Sequence, residues 1–252
     1  ATWGPVSLSE AIAPSVHGRG VHGPGSHMVT PGTKLGKPTV FFDLDGTLIS
    51  GDMHESVWCF VTHLPNTAQR LWKMFFFCVT LPLVGLVSLF SEGGAVSFLC
   101  WVAMKGVTKK DCRTAVRLGV TPNLFQRLYP AVMEELEEHQ RNGRVVAVLT
   151  GNLLPFVTEF CESIGALPIG TGVLSCGEVY TGVVDGKPMV CDEKPVVMLA
   201  AAAVQKDSAQ GLHAYGNSKH DIAFLSVVGH PYAVRPSQGL RKVSDQNGWS
   251  RH

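Results

Sequence analysis

The sequence predicts an α/β fold, a doubly wound parallel sheet with a helical cap inserted after its first strand. Three observations carry that expectation. Short apolar runs each close on a polar motif, helical patterns alternate with those runs, and one long apolar stretch interrupts the alternation early. Continuous apolar runs suit strands covered on both faces. Polar motifs at their carboxyl ends suit the ligand crevice of an open α/β sheet.

In chain order, residues 1–38 form a leader with spaced histidines (His17, His22, His27) and a single acidic residue, Glu10. Such a segment suits a solvated tail, a targeting peptide for an organelle, or weak metal binding by the histidines. The first strand covers Thr39 to Phe42 and ends in DLDGTL. The second covers Arg144 to Leu149 and ends in Thr150-Gly151-Asn152. A third, Leu212 to Tyr215, ends in Gly216-Asn217-Ser218, and Pro231 to Val234 follows as a fourth. Helices are expected over 122–142, 154–164, 194–205 and 221–227, and a hairpin over 173–190 with turns at Gly182 and Asp185-Gly186. The resulting division is a leader (1–38), a core (39–52 and 122–252) and a helical cap (53–121).

Composition excludes some classes. Charged residues are 16% and hydrophobic ones 45%, so the chain is not wholly disordered. The 21 basic and 20 acidic residues leave a net charge of +1, which gives no basic excess for nucleic acid. The seven cysteines form no CxxC pair and suit reduced, cytoplasmic thiols.

Asp43 and Asp45 stand two residues apart just beyond a buried strand. A carboxylate there can attack an electrophile or bind a hard cation. Alone, the pair also suits an ordinary Asp-Gly turn. Asp52 suits either a substrate contact or the cap of the first inserted helix.

Four motifs in order make the chain resemble the haloacid dehalogenase superfamily, in its phosphoserine-phosphatase-like branch. They are DLDGTL, Thr150 in VVAVLTGN, Lys194 in CDEKPVVML and GNSKHD at 216–221. The resemblance implies magnesium-dependent hydrolysis of a phosphomonoester through an aspartyl phosphate. It makes Asp43 the nucleophile and Asp45 the general acid and base. It assigns phosphate or substrate contacts to Thr150, Gly151, Lys194 and Asp52, and the magnesium site to Asp43, Asp45, Asn217 and Asp221. Asn217 departs from the pattern, which has an aspartate there. An amide keeps one oxygen for the metal and loses a charge, so a weakened binding or regulatory domain is the alternative.

The cap carries the excess apolarity, and the mean hydropathy of the chain is +0.16. Met74 to Phe90 is almost unbroken, and a second run covers Ala95 to Met104. A membrane helix needs about 20 apolar residues. Strands on both sides of the insert must meet in one sheet, so any crossings are even in number. The preferred reading is a cap whose apolar face is buried on the core or dips into the bilayer interface. Lys105, Lys109, Lys110, Arg113 and Arg117 would then meet anionic headgroups. A similar insert occurs, by resemblance, in family domains linked to glycerolipid acyltransferases, which suggests a lysophospholipid among the small phosphorylated substrates. An acyltransferase domain would lie beyond His252. The expected location is the cytoplasm, with a peripheral membrane position open.

Overall fold

The computed structural model describes residues 36–251, so the leader readings fall outside the described residues except at its last three positions. β1 (Val40–Phe42) is buried throughout. Beyond it the cap opens with α1 (Met53–Thr62), α2 (Thr67–Ser88), α3 (Glu92–Met104) and α4 (Lys109–Ala115). Each starts where the sequence supplies a side-chain oxygen for an otherwise unpaired N–H. Asp52, Asn66, Ser91 and Thr108 accept from His54, Gln69, Gly94 and Asp111 in turn.

A π-turn (Val116–Val120) passes into α5 (Thr121–Gln126). The core resumes with α6 (Pro130–Arg141), β2 (Val146–Leu153), α7 (Leu154–Ser163) and β3 (Leu167–Thr171). A hairpin of β4 (Val173–Cys176) and β5 (Val179–Val184) follows. The chain closes with α8 (Glu193–Ala202), β6 (His213–Gly216), α9 (Ile222–Leu225), β7 (His230–Ala233), α10 (Gln238–Asn247) and β8 (Ser250–Arg251).

Among the described residues six strands form a parallel sheet in the order β3-β2-β1-β6-β7-β8. The doubly wound parallel sheet is therefore as expected, with β1 beside both β2 and β6. Its faces follow from strand alternation. Val40, Phe42 and Leu44 pack in one cluster with Leu136, Phe156 and much of the cap. Phe41 points the other way, among Met198, Phe224 and Leu240. The segment that leaves β1 meets the segment that returns from the cap, with Ile49 bridging Leu128 and Tyr129 N–H donating to the Leu48 carbonyl, so the cap departs and returns at one place.

Several boundaries differ from expectation. The helix expected over 122–142 is two, α5 and α6, because Pro130 cannot continue the first and biases Tyr129 to the extended backbone it adopts. The helix expected over 221–227 is a tight turn at Lys219–Asp221 followed by the four residues of α9. β2 runs through Thr150, Gly151 and Asn152 instead of ending before them. β3 escaped notice because Pro168 and Gly170 disguise it, and both are tolerable on an edge strand. α10 and β8 had no counterpart in the sequence reading. The hairpin turns at Gly177-Glu178, whereas Gly182 lies within β5, where an added Cβ would collide with Lys105.

The apolar cap helix is only partly covered by protein. α2 buries one stripe, Lys73, Phe77, Thr80 and Val84, at helical spacing. The Lys73 ammonium donates to the carbonyls of Val102 (2.8 Å) and Lys105 (3.0 Å) and so caps α3. Leu71, Trp72, Phe75, Val79, Leu83 and Leu86 face outward, with Trp72 65% exposed. The expected burial of this apolar surface on the core is thus confined to one stripe. α2 is long and apolar enough to cross a membrane by length and composition, whereas α3 has 13 residues.

Candidate active site

The carboxyl ends of β1, β2 and β6 meet the start of α8 around a cavity of about 290 Å³. Asp43, Asp45, Asp52, Gly151, Lys194, Asn217 and Asp221 all line it. A larger cleft of about 600 Å³ lies between Tyr129, Glu135, Glu138 and Arg235, away from these acids. The smaller cavity, not the larger cleft, gathers the sequence-assigned acids and Lys194.

The centre of the site is one cation between two carboxylates. Lys194 Nζ donates to Asp43 Oδ1 at 2.7 Å and to Asp221 Oδ1 at 2.6 Å, and all three side chains are buried. Thr47 Oγ1 donates to the other Asp43 oxygen at 3.0 Å and lies 3.4 Å from Asn217 Oδ1. Asp221 Oδ2 accepts from the backbone N–H groups of Asn217 (3.1 Å) and Ser218 (2.9 Å) and from the Ser218 hydroxyl. Ser218 and Asp221 thereby close a capping box, a pattern legible in the string Ser218-Lys219-His220-Asp221. With both oxygens engaged within the protein, Asp221 positions Lys194 and the 216–221 loop. Gly46, at φ +81, lets the loop after β1 pass Asn217, whose side chain an added Cβ would strike.

Burial sets the proton affinities. It pushes the Asp43 carboxyl up to about 6, against Lys194 and with Asp221. It pushes Asp45 up to about 7, with the charges of Asp43 and Asp52 reinforcing it. Burial also opposes ionisation of Lys194 and Asp221, yet each stabilises the other's charge. Lys194 is held above the ordinary lysine value and Asp221 below the ordinary carboxylate value.

Asp45 Oδ1 is buried with no hydrogen-bond partner. Such an atom is costly unless something else uses it. Asp43, Asp45 and Asn217 offer oxygen donors around one cavity, the kind a hard divalent cation takes. The residues present therefore fit a magnesium ion.

Other sequence assignments land unevenly. Asp52 caps α1, as one of its two readings expects, and it also lines the cavity. Thr150 is buried within β2, where its hydroxyl oxygen accepts from the Asn152 N–H at 3.0 Å; Gly151, not Thr150, lines the cavity. The sequence reading missed Glu92, Cys191, Ser218 and His220 in the cavity wall. Glu92 comes from the first turn of α3, and nothing in the local sequence marks it as reaching the core.

A family model for haloacid dehalogenase-like hydrolases matches residues 40–226. The chain is 27% identical over 207 residues to a Petunia hybrida protein named glycerol-3-phosphate acyltransferase RAM2, covering 80% of this chain and 41% of that one. It is 28% identical over 141 residues to a probable phosphatase of Mycobacterium tuberculosis, covering 53% of this chain and 48% of that one. The chain thus spans about half the length of the curated relatives it matches, or less. Among solved structures, a Bordetella pertussis Tohama I protein of unknown function superposes with a TM-score of 0.68 at 20% identity, covering 85% of this chain and 97% of that one. A phosphoserine phosphatase solved as a phospho-aspartyl intermediate analogue superposes with a TM-score of 0.56 at 14% identity, covering 82% and 90%. At such identities the superpositions speak for the fold. The family model covers most of the chain, and on that ground the chain belongs to the haloacid dehalogenase-like hydrolases.

Proposed function

We propose that the chain hydrolyses phosphomonoesters through a phosphoaspartate on Asp43. The observation that carries this reading is the Asp43–Lys194–Asp221 array with the unpartnered Asp45 carboxyl beside it. Lys194 keeps Asp43 ionised and oriented, and its charge also suits a phosphoryl group. An Asp43 oxygen attacks phosphorus as the bond to the ester oxygen breaks, and Asp45 gives that oxygen its proton. The ionised Asp45 then takes a proton from water as the water oxygen attacks phosphorus. Cleavage of the bond to Asp43 releases phosphate and restores the carboxylate. A carboxyl held near 7 suits both directions of proton transfer. Asp43, Asp45 and Asn217 would hold magnesium, which when bound offsets negative charge on the phosphoryl oxygens.

The substrate reading is lipidic, a lysophospholipid presented at a membrane surface. Its support is the outward apolar face of α2, with Trp72 and Phe75 both exposed. The Petunia relative, named as a glycerol-3-phosphate acyltransferase, favours the same class. The cap would rest in the bilayer interface, since Ile49 bridges Leu128 and the segments flanking the cap thus lie on one side. The location that follows is cytoplasmic and peripheral to a membrane.

The test pairs turnover of an aryl phosphate and of lysophosphatidate, each with and without magnesium, with sedimentation on anionic vesicles. The expected result is magnesium-dependent release of phosphate from both, and vesicle binding that charged substitutions at Trp72 and Phe75 abolish. Turnover without vesicle binding would leave a phosphatase with a soluble cap. No turnover of any phosphomonoester would favour the weakened binding domain that Asn217 suggests.

A further inference from the structure

Next to the carboxylate array, three side chains from distant parts of the chain converge. Glu92 comes from the cap at the start of α3, Cys191 from the loop before α8, and His220 from the turn after β6. Cys191 Sγ lies 3.1 Å from Glu92 Oε2 and 3.7 Å from His220 Nδ1. His220 Nε2 lies 2.6 Å from Glu92 Oε1. One ligand atom from each residue falls within 4.8 Å of the others. All three line the cavity shared with Asp43, Asp45 and Asn217. The Cys191 backbone is left-handed at φ +45, an unfavourable conformation for a residue with a side chain, and it is held at the cavity wall.

We infer that Glu92, Cys191 and His220 form a binding site for a thiophilic divalent cation, zinc, that joins the cap to the core. A thiolate, an imidazole and a carboxylate are the donor types zinc takes, and a sulfur ligand disfavours magnesium. Tetrahedral zinc with bonds of about 2.0–2.3 Å separates its ligand atoms by about 3.3–3.6 Å. His220 turns Nδ1 towards Cys191 and Nε2 towards Glu92, and only one of these nitrogens can bind the ion. With one ligand atom from each residue within 4.8 Å of the others, side-chain rotation brings the three to that spacing. Binding replaces the Cys191 S–H bond by a sulfur–zinc bond and releases the proton to solvent. Three protein ligands leave a fourth position for water or for an oxygen of a molecule in the shared cavity. Two of the ligands belong to the core and one to the cap, so the ion closes a link across the cavity mouth. This site is distinct from the magnesium donors and does not depend on the proposed hydrolysis.

Cobalt(II) is the probe, because a thiolate–cobalt bond gives a near-ultraviolet charge-transfer band that histidines and carboxylates alone do not. Chelator-treated full chain is titrated with cobalt(II), then challenged with zinc or a large excess of magnesium. The inference predicts saturation at one equivalent per chain, displacement by zinc and indifference to magnesium. Cys191→Ser should abolish the band, Glu92→Gln should weaken binding at least tenfold, and Asp43→Asn should leave both unchanged. Zinc should raise the melting temperature of the unaltered protein and not that of Cys191→Ser. No thiolate band in the unaltered protein, or a band that survives Cys191→Ser, would overturn the inference and leave these residues as a hydrogen-bonded contact alone. Should Cys191→Ser fold poorly, unchanged cobalt affinity in Glu92→Gln and in His220→Ala would overturn it equally.

Discussion

The two ends of the central sheet handle buried ionisable groups in opposite ways. At the carboxyl edge, Asp43 and Asp221 are buried as charges and share the Lys194 ammonium. At the amino edge, Arg144 Nη1 lies 2.8 Å from His213 Nε2 and 3.0 Å from His139 Nδ1. A guanidinium has no acceptor, so both imidazole nitrogens must accept, and both rings are neutral. His139 is thereby left to donate to the Tyr215 hydroxyl, 2.8 Å away. His230 stacks on His213 with centroids 4.3 Å apart. Burial, with Arg144 behind it, pushes His213 down to about 4 and also lowers His139. One edge keeps buried charges poised at a cavity, and the other keeps its buried imidazoles neutral beneath an exposed guanidinium. Chemistry can be removed from the first edge with little loss of fold, whereas the second contributes stability and no reactive group.

The sharpest way to separate the edges is to change one residue at each. Asp43→Asn should lower phosphatase turnover by roughly 10⁴-fold or more, since an amide cannot attack phosphorus. Its melting temperature should not fall. The Asp43 carboxyl is held above its ordinary value, so its ionised form is disfavoured by folding, and a neutral isostere removes that cost. A matching loss of stability would erase the contrast. Arg144→Met is the mirror image. It strips two buried imidazole acceptors of their donor and should cost about 1–3 kcal/mol of stability. The kcat/KM of the folded variant should stay within about twofold.

The amino edge also predicts an acid response. His213 has a folded value of about 4 against an ordinary 6.5, so the unfolded chain binds more protons between those limits. Stability from this group is fully present above pH 6.5 and is lost as pH falls from 6.5 towards 4. Urea midpoints measured across that window should fall in the unaltered protein. In Arg144→Met the fall should be shallower, because one charge opposing imidazole protonation is gone. Equal slopes would detach the histidines from Arg144.

At the carboxyl edge a smaller effect is expected at Asn217. Asn217→Asp should lower the magnesium concentration for half-maximal turnover roughly tenfold, about 1.4 kcal/mol, by adding a charge where an amide oxygen stands. Identical magnesium titrations would remove residue 217 from the metal's donors.

The edges also differed in how far the sequence revealed them. The carboxyl edge was legible because its residues sit in short motifs at strand ends, and DLDGTL, Lys194 and GNSKHD converge on one cavity. The amino edge was not, because Arg144, His139 and His213 carry no local pattern and meet only when β1 brings β2 and β6 together. Glu92 was invisible for the same reason, since its partners lie 99 and 128 residues further along the chain. Local chemistry misled at β3, where Pro168 and Gly170 mimic a loop on an edge strand that tolerates them. At α2 the apolar run allowed either burial on the core or a bilayer interface, and the structure covers one stripe while Trp72 and Phe75 face outward. Apolarity reports what a helix can cover, and packing decides what it does.

The central claim is that Asp43 carries the phosphoryl group. The direct measurement is to quench the enzyme in acid during turnover of an aryl phosphate, reduce with borohydride and map the modified peptide by mass spectrometry. An acyl phosphate is reduced to an alcohol under these conditions, whereas a free carboxylate is not. The account predicts homoserine at position 43 in the unaltered protein, and none when substrate is omitted or in Asp43→Asn. Sustained turnover with an unmodified Asp43 peptide, or reduction at a different aspartate, would contradict it.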